Sequence, residues 1–137
     1  MTPSIFIAAS AAIALTLGIA HLVFTFSGSK LRPREPALEV RMRAVSPVIT
    51  SQTTMWKVWI GFNASHSCSA ILFGSVYAYL ALAQPALLFQ SAFFAILGGL
   101  FLLVYLILAK TYWFSTPFRC LVIASILYAA GFIATLA

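Results

Sequence analysis

The chain has 137 residues, of which 63% are hydrophobic and only 7% are charged. Soluble domains carry about 25% charged residues, so this chain cannot cover a water-facing surface and most of it must be solvated by lipid. The formal charge is +6, but the eight basic residues are too few and too localised for a nucleic-acid-binding surface. We expect a single membrane domain over residues 1–137 and no nucleic-acid partner.

Long uncharged segments predict four transmembrane helices. Residues 1–29 carry no charge, and because no basic residue precedes them, we expect a retained helix rather than a cleaved signal peptide. Residues 58–109 are also uncharged and exceed the roughly 20 residues needed for one crossing, so Gln84-Pro85 is expected to divide them. The predicted helices cover about 4–26, 56–83, 85–109 and 118–137.

The positions of the charges predict the topology. The loop at 27–55 and the short turn before the last helix lie on the same face, and all eight basic residues are in or next to them. The positive-inside rule makes that face cytoplasmic, with both termini on the other side. Aromatic residues flank the basic segments, as in an interfacial belt: Trp56, Trp59, Tyr112 and Trp113. The predicted fold class is an all-α membrane protein, a bundle of four antiparallel transmembrane helices.

The first loop predicts a short helix of its own over 37–45. Glu39 and Arg43 have the i,i+4 spacing of a helical ion pair. The apolar residues of this segment can rest on the membrane while its arginines reach lipid phosphates. The alternative is a loop that only sets orientation.

Polar residues inside the predicted helices mark a candidate site. His21 precedes Lys30 by nine residues and His66 follows Lys57 by nine, so each histidine lies about 13 Å below the same membrane face. Consecutive antiparallel helices are usually neighbours, so the two histidines are expected at matching depth. Thr25 lies on the same helical stripe as His21, and Trp59 and Asn63 share a stripe with His66.

Three interpretations of this stripe remain open. The polar residues can form a packed interhelical hydrogen-bond network within a structural protein. They can instead bind a lipid-like or quinone-like ligand, with His21, Thr25, Trp59, Asn63 and His66 as the binding residues. The third interpretation is a b-type haem electron-transfer protein, with His21 and His66 as axial ligands of the metal.

Catalytic signals are weak. No acidic residue lies within a predicted transmembrane helix, which argues against a carboxylate pathway for protons or cations. Three serines flank His66, but a nucleophilic triad also needs an orienting third group. Two histidines are fewer than the three protein ligands of a usual catalytic zinc. The balance favours a non-catalytic or accessory protein, without excluding an enzyme.

Three segments carry a resemblance to a known type of protein: GIAHLVFTF, EVRMRAVSP and MWKVWIGFNASHS. The chain resembles small four-helix bacterial inner-membrane proteins of uncharacterised function. The resemblance implies the four-helix fold and a multi-pass location in the bacterial inner membrane, and no activity. The expected partners are membrane lipids and either a larger membrane complex or a second copy of the chain, packed through the Gly98-Gly99 face.

Overall fold

The computed structural model describes residues 2–136, and every regular element in that part of the chain is helical. The elements in chain order are α1 (Thr2–Phe26), α2 (Pro36–Ala44), α3 (Met55–Ala83), α4 (Pro85–Gln90), α5 (Ala92–Tyr112) and α6 (Ser115–Ile133). Within this range four helices, α1, α3, α5 and α6, are long and apolar enough to cross a membrane. The predicted all-α membrane fold is therefore confirmed. Met1 and Ala137, at the ends of the predicted membrane domain, lie outside the described residues.

The prediction of the third transmembrane helix is wrong in one respect, because the segment forms two helices. Pro85 starts α4 at a position where its missing N–H costs nothing. The helix stops at Ser91, whose backbone is extended (φ −99°, ψ 108°), and α5 begins at the next residue. The carbonyl of Ser91 then accepts the amide of Ala95 at 3.2 Å. The predicted segment 85–109 therefore contains a bend near its start.

The loop helix α2 is confirmed. Its ion pair joins Arg43 Nη2 to Glu39 Oε1 at 2.7 Å, one turn apart. Beyond α2, the amide of Met55 donates to the carbonyl of Val45 at 2.9 Å and closes the remaining loop. Val48 and Ile49 lie at the exposed end of that closed loop.

By its internal contacts the chain divides into two compact units, Met1–Leu17 with Ala70–Ala137, and Gly18–Ser69. The first unit contains the hydrophobic core, and small residues there allow close helix contact. A Cβ on Gly74 would lie 2.6 Å from Leu15 Cβ and 2.8 Å from the carbonyl oxygen of Ala11. The buried hydroxyl of Ser10 donates to the carbonyl of Ala124 at 2.7 Å.

Two tyrosines of the first unit cover Gly98. A Cβ there would lie 2.7 Å from the Tyr77 ring and even closer to the Tyr128 hydroxyl. The Tyr77 hydroxyl donates to the carbonyl of Phe94 at 2.7 Å, and the Tyr128 hydroxyl donates to the carbonyl of Ala95 at 2.9 Å. Gly98 therefore packs against its own chain, and packing of a second copy through the Gly98-Gly99 face stays a prediction.

Each long helix also exposes large apolar side chains. Examples are Ile19 on α1, Phe62 and Leu72 on α3, Leu103 on α5 and Ile126 on α6. Extended apolar surfaces of this kind are rare on soluble monomers. In a membrane the same side chains face lipid without cost, as the sequence composition predicts.

Candidate ligand-binding site

The second unit brings three of the predicted site residues together. Nε2 of His21, on α1, lies 2.9 Å from Oδ1 of Asn63 on α3. The imidazole of His66, one turn after Asn63, meets the ring of His21 edge-on, with centroids 5.3 Å apart and planes 82° apart. All three side chains are partly buried. We call His21, Asn63 and His66 the polar cluster.

The orientation of the Asn63 amide assigns the proton on His21. Nδ2 of Asn63 donates to the carbonyl of Trp59 at 2.8 Å, so Oδ1 is the atom that faces His21. An amide oxygen only accepts hydrogen bonds, so Nε2 of His21 must be the donor. A neutral His21 therefore carries its proton on Nε2 and presents Nδ1 as an acceptor.

Two further predicted residues lie beside the cluster, but their polar groups bind the backbone. The Thr25 hydroxyl is buried and donates to the carbonyl of His21 at 2.8 Å. The indole Nε1 of Trp59 donates to the carbonyl of Leu31 at 3.1 Å. Trp59 therefore fastens the segment after α1 to α3, and these two donors are already used.

The serines around His66 also bind their own helix. Ser67 is fully buried and donates to the carbonyl of Asn63 at 2.8 Å. Ser65 donates to the carbonyl of Phe62 at 3.0 Å, and Ser69 to that of His66 at 2.8 Å. Such bonds are common for serine inside a helix, where they satisfy the hydroxyl locally. They give no support to a nucleophilic serine.

The geometry of the cluster bears on the haem interpretation. An imidazole nitrogen that donates a hydrogen bond cannot use the same position as a metal ligand. Axial ligation through Nε2 of His21 would therefore require the bond to Asn63 to break, and a macrocycle would have to separate two rings now in edge contact. Among the described residues, no group of three or more His, Cys, Asp or Glu side chains is placed to hold a metal ion.

A cavity that the sequence did not predict lies on the loop side of the cluster. It has a volume of about 250 Å³, and its lining includes Thr25, Arg32, Arg43 and Trp56. The sequence predicted that Arg43 can reach lipid phosphates, but its position beside Arg32 depends on the path of the chain after α1. Gly28, at φ +82°, sets that path, because this backbone conformation suits glycine.

The fold and the polar cluster define a class, the multi-pass α-helical membrane proteins. The chain matches no protein-family model, no curated protein and no solved structure at the level required to show kinship. The resemblance to small four-helix bacterial membrane proteins therefore stays a prediction.

Proposed function

We propose that the protein is an accessory, non-catalytic protein of the bacterial inner membrane. Its polar cluster binds the polar head of a lipid-like or quinone-like molecule. The observation that carries the proposal is the hydrogen bond from Nε2 of His21 to Asn63, because it leaves Nδ1 of a partly buried imidazole as an acceptor. Hydrogen-bond acceptors in an apolar medium are costly unless they are paired.

The chemistry of the cluster favours a ligand that donates a hydrogen bond. A quinol hydroxyl or the hydroxyl of a lipid glycerol can donate to Nδ1 of His21. His66 adds a second imidazole beside that of His21. The rest of such a ligand is apolar and lies along the exposed aliphatic side chains of the helices. A water-soluble metabolite would lack the apolar part that these side chains can contact.

The proposed orientation rests on charge. Lys30, Arg32, Arg34, Arg41 and Arg43 lie in the loop between α1 and α3, and Lys110 and Arg119 lie at the junction of α5 and α6. Cytoplasmic loops of bacterial membrane proteins carry such an excess of basic residues. The positive loops are therefore in the cytoplasm, and the termini are on the other side.

The ligand is tested by purifying the protein in a mild detergent and analysing an organic extract by mass spectrometry. We expect one molecule with a hydroxyl or quinone head to be enriched over bulk lipid, and to be lost in His21→Leu and Asn63→Leu. Ser65→Ala is the matched control, because Ser65 is a polar residue of the same helix that binds only its own backbone carbonyl at 3.0 Å. Bulk phospholipid in bulk proportions from the wild type would overturn the proposal.

An absorption spectrum of the same preparation tests the haem alternative. A strong Soret band that disappears in both His21→Leu and His66→Leu would replace the proposed ligand by haem. A preparation without that band, from cells that make haem normally, removes this alternative. The spectrum needs no knowledge of the ligand.

The orientation has its own test. Cys68 and Cys120 are free thiols and are first replaced by alanine. A single cysteine is then introduced at Ser46 or at Gln84, and intact cells with a permeable outer membrane are treated with a membrane-impermeant maleimide. We expect labelling at position 84 and protection at position 46. The reverse pattern would show the opposite orientation.

A further inference from the structure

We propose that the cavity between the end of α1 and the start of α3 binds a phosphate ester anion, held by Arg32 and Arg43. The two sources of that chemistry are the headgroup of an anionic phospholipid and a soluble phosphate ester. Both arginines border the cavity of about 250 Å³. Arginine suits this ligand because its planar guanidinium donates two parallel hydrogen bonds to phosphate oxygens.

One carboxylate holds the two arginines together. Glu39 Oε1 lies 2.7 Å from Nη2 of Arg43 and 3.9 Å from Nη1 of Arg32. The Glu39 side chain is only 17% exposed, whereas those of Arg32 and Arg43 are 54% and 51% exposed. Two guanidiniums share one negative charge, so the group keeps a net positive charge and several unused N–H donors. An anion can accept hydrogen bonds from these donors and balance the remaining positive charge.

Aromatic residues also hold the two arginines in place at the edge of the cavity. The guanidinium of Arg43 lies over the Trp56 ring, 4.4 Å from its centroid. The bond from Trp59 to the carbonyl of Leu31 holds the backbone immediately before Arg32. A preorganised site loses less side-chain freedom when it binds, which distinguishes this pair from ordinary surface arginines.

The remainder of the cavity is mostly apolar. Phe24, Leu31 and Ile60 line it, and Thr25 contributes a hydroxyl that already donates to the carbonyl of His21. Lys30 adds a third cation nearby, with Nζ 3.9 Å from the centroid of the Phe24 ring. Cations beside an apolar wall match the boundary between a phosphate and its glycerol and acyl chains. This arrangement favours a lipid over free phosphate.

The test is native mass spectrometry of the full chain in detergent, titrated with phosphatidylglycerol and, separately, with phosphatidylcholine of the same acyl chains. We expect one phosphatidylglycerol to bind more tightly than phosphatidylcholine. The double variant Arg32→Gln/Arg43→Gln should weaken it by roughly tenfold or more, since charge-assisted hydrogen bonds are the strong ones. Glycerol 3-phosphate is added as a competitor, and full displacement at low millimolar concentration identifies the soluble source.

The control is Arg34→Gln/Arg41→Gln, which removes the same charge from the same loop at two arginines that do not line the cavity. Equal weakening by both double variants would show unspecific attraction and overturn the proposal, as would equal binding of the two lipids. In His21→Leu, the change Arg32→Gln/Arg43→Gln should still weaken phosphatidylglycerol binding by a similar factor, because neither arginine belongs to the polar cluster. The experiments can therefore refute the proposed phosphate site and the proposed ligand of the polar cluster independently.

Discussion

His21 and Asn63, 42 positions apart in the chain, share a hydrogen bond of 2.9 Å between Nε2 and Oδ1. The amide that accepts this bond is itself oriented by the carbonyl of Trp59, one turn earlier on α3. The pair therefore links α1 to α3 and, at the same time, determines which nitrogen of the imidazole carries the proton. The strength of this hydrogen bond and the tautomer of His21 can each be measured.

The strength is accessible through a double-mutant cycle with His21→Leu and Asn63→Leu. We expect a coupling free energy of about 0.6 kcal/mol, and no more than roughly 1.7 kcal/mol, which are the average and the maximum measured for interhelical bonds in a membrane protein. Unfolding in mixed micelles with increasing sodium dodecyl sulfate gives the four free energies. Pairing His21→Leu with Ser65→Ala provides the control cycle, for which strict additivity is expected. Additivity in the first cycle would mean that the bond does not form.

The tautomer is accessible to nitrogen NMR. With ¹⁵N-labelled histidine in lipid bilayers, neutral His21 is expected to show a protonated Nε2 and an unprotonated Nδ1, because Asn63 Oδ1 can only accept. Asn63→Leu should remove this preference. His66→Leu identifies the His21 signals, since these are the chain's two histidines. A His21 signal with the proton on Nδ1 would contradict the assigned amide orientation.

Close helix contact at Gly74 predicts a sharp difference between two glycines of α3. Gly74→Ala places a methyl group 2.6 Å from Leu15 Cβ and 2.7 Å from its backbone nitrogen, so we expect a loss of about 1–3 kcal/mol. At Gly61 a Cβ meets no described atom within 4 Å, and alanine has the higher helix propensity. Gly61→Ala should therefore cost nothing in the same unfolding measurement. Similar losses at both positions would rule out the close contact.

The bond from Trp59 to Leu31 predicts a local change in protease sensitivity. Trp59→Phe keeps an aromatic ring but removes the N–H that holds the segment after α1. We expect faster tryptic cleavage after Lys30 in detergent, measured by mass spectrometry of the fragments. Cleavage after Lys57, which lies inside α3, serves as the internal reference. Equal acceleration at both positions would indicate general unfolding rather than release of this segment.

Much of the fold follows from the sequence because lipid imposes simple rules. Uncharged segments long enough to cross a bilayer identified all four long helices, and the i,i+4 pair of Glu39 and Arg43 identified α2. The break at Ser91 had no such signal. Serine does not disrupt a helix as proline does, and the extended backbone there depends on how α4 and α5 pack.

The candidate site was predictable only in part. Matching depth was enough to pair His21 with the stripe of His66, because helical rise fixes depth from residue number. The bond to Asn63 rather than to a ligand depends on side-chain rotation, which spacing does not determine. The cavity beside Arg32 and Arg43 depends on the positive φ of Gly28. It also depends on the hydrogen bond from the Trp59 indole to the carbonyl of Leu31. Local sequence patterns carry no information about such long-range closures.

The Phe94 carbonyl has a consequence for the order of assembly. Hydroxyls of Tyr77 on α3 and Tyr128 on α6 both approach it, at 2.7 Å and 3.2 Å. During synthesis Tyr77 is made first, then Phe94, and Tyr128 only near the end of the chain. Until α6 enters the membrane, Gly98 is therefore covered from one side only. A nascent chain that ends before residue 128 therefore lacks the tyrosine hydroxyl that covers Gly98 from α6.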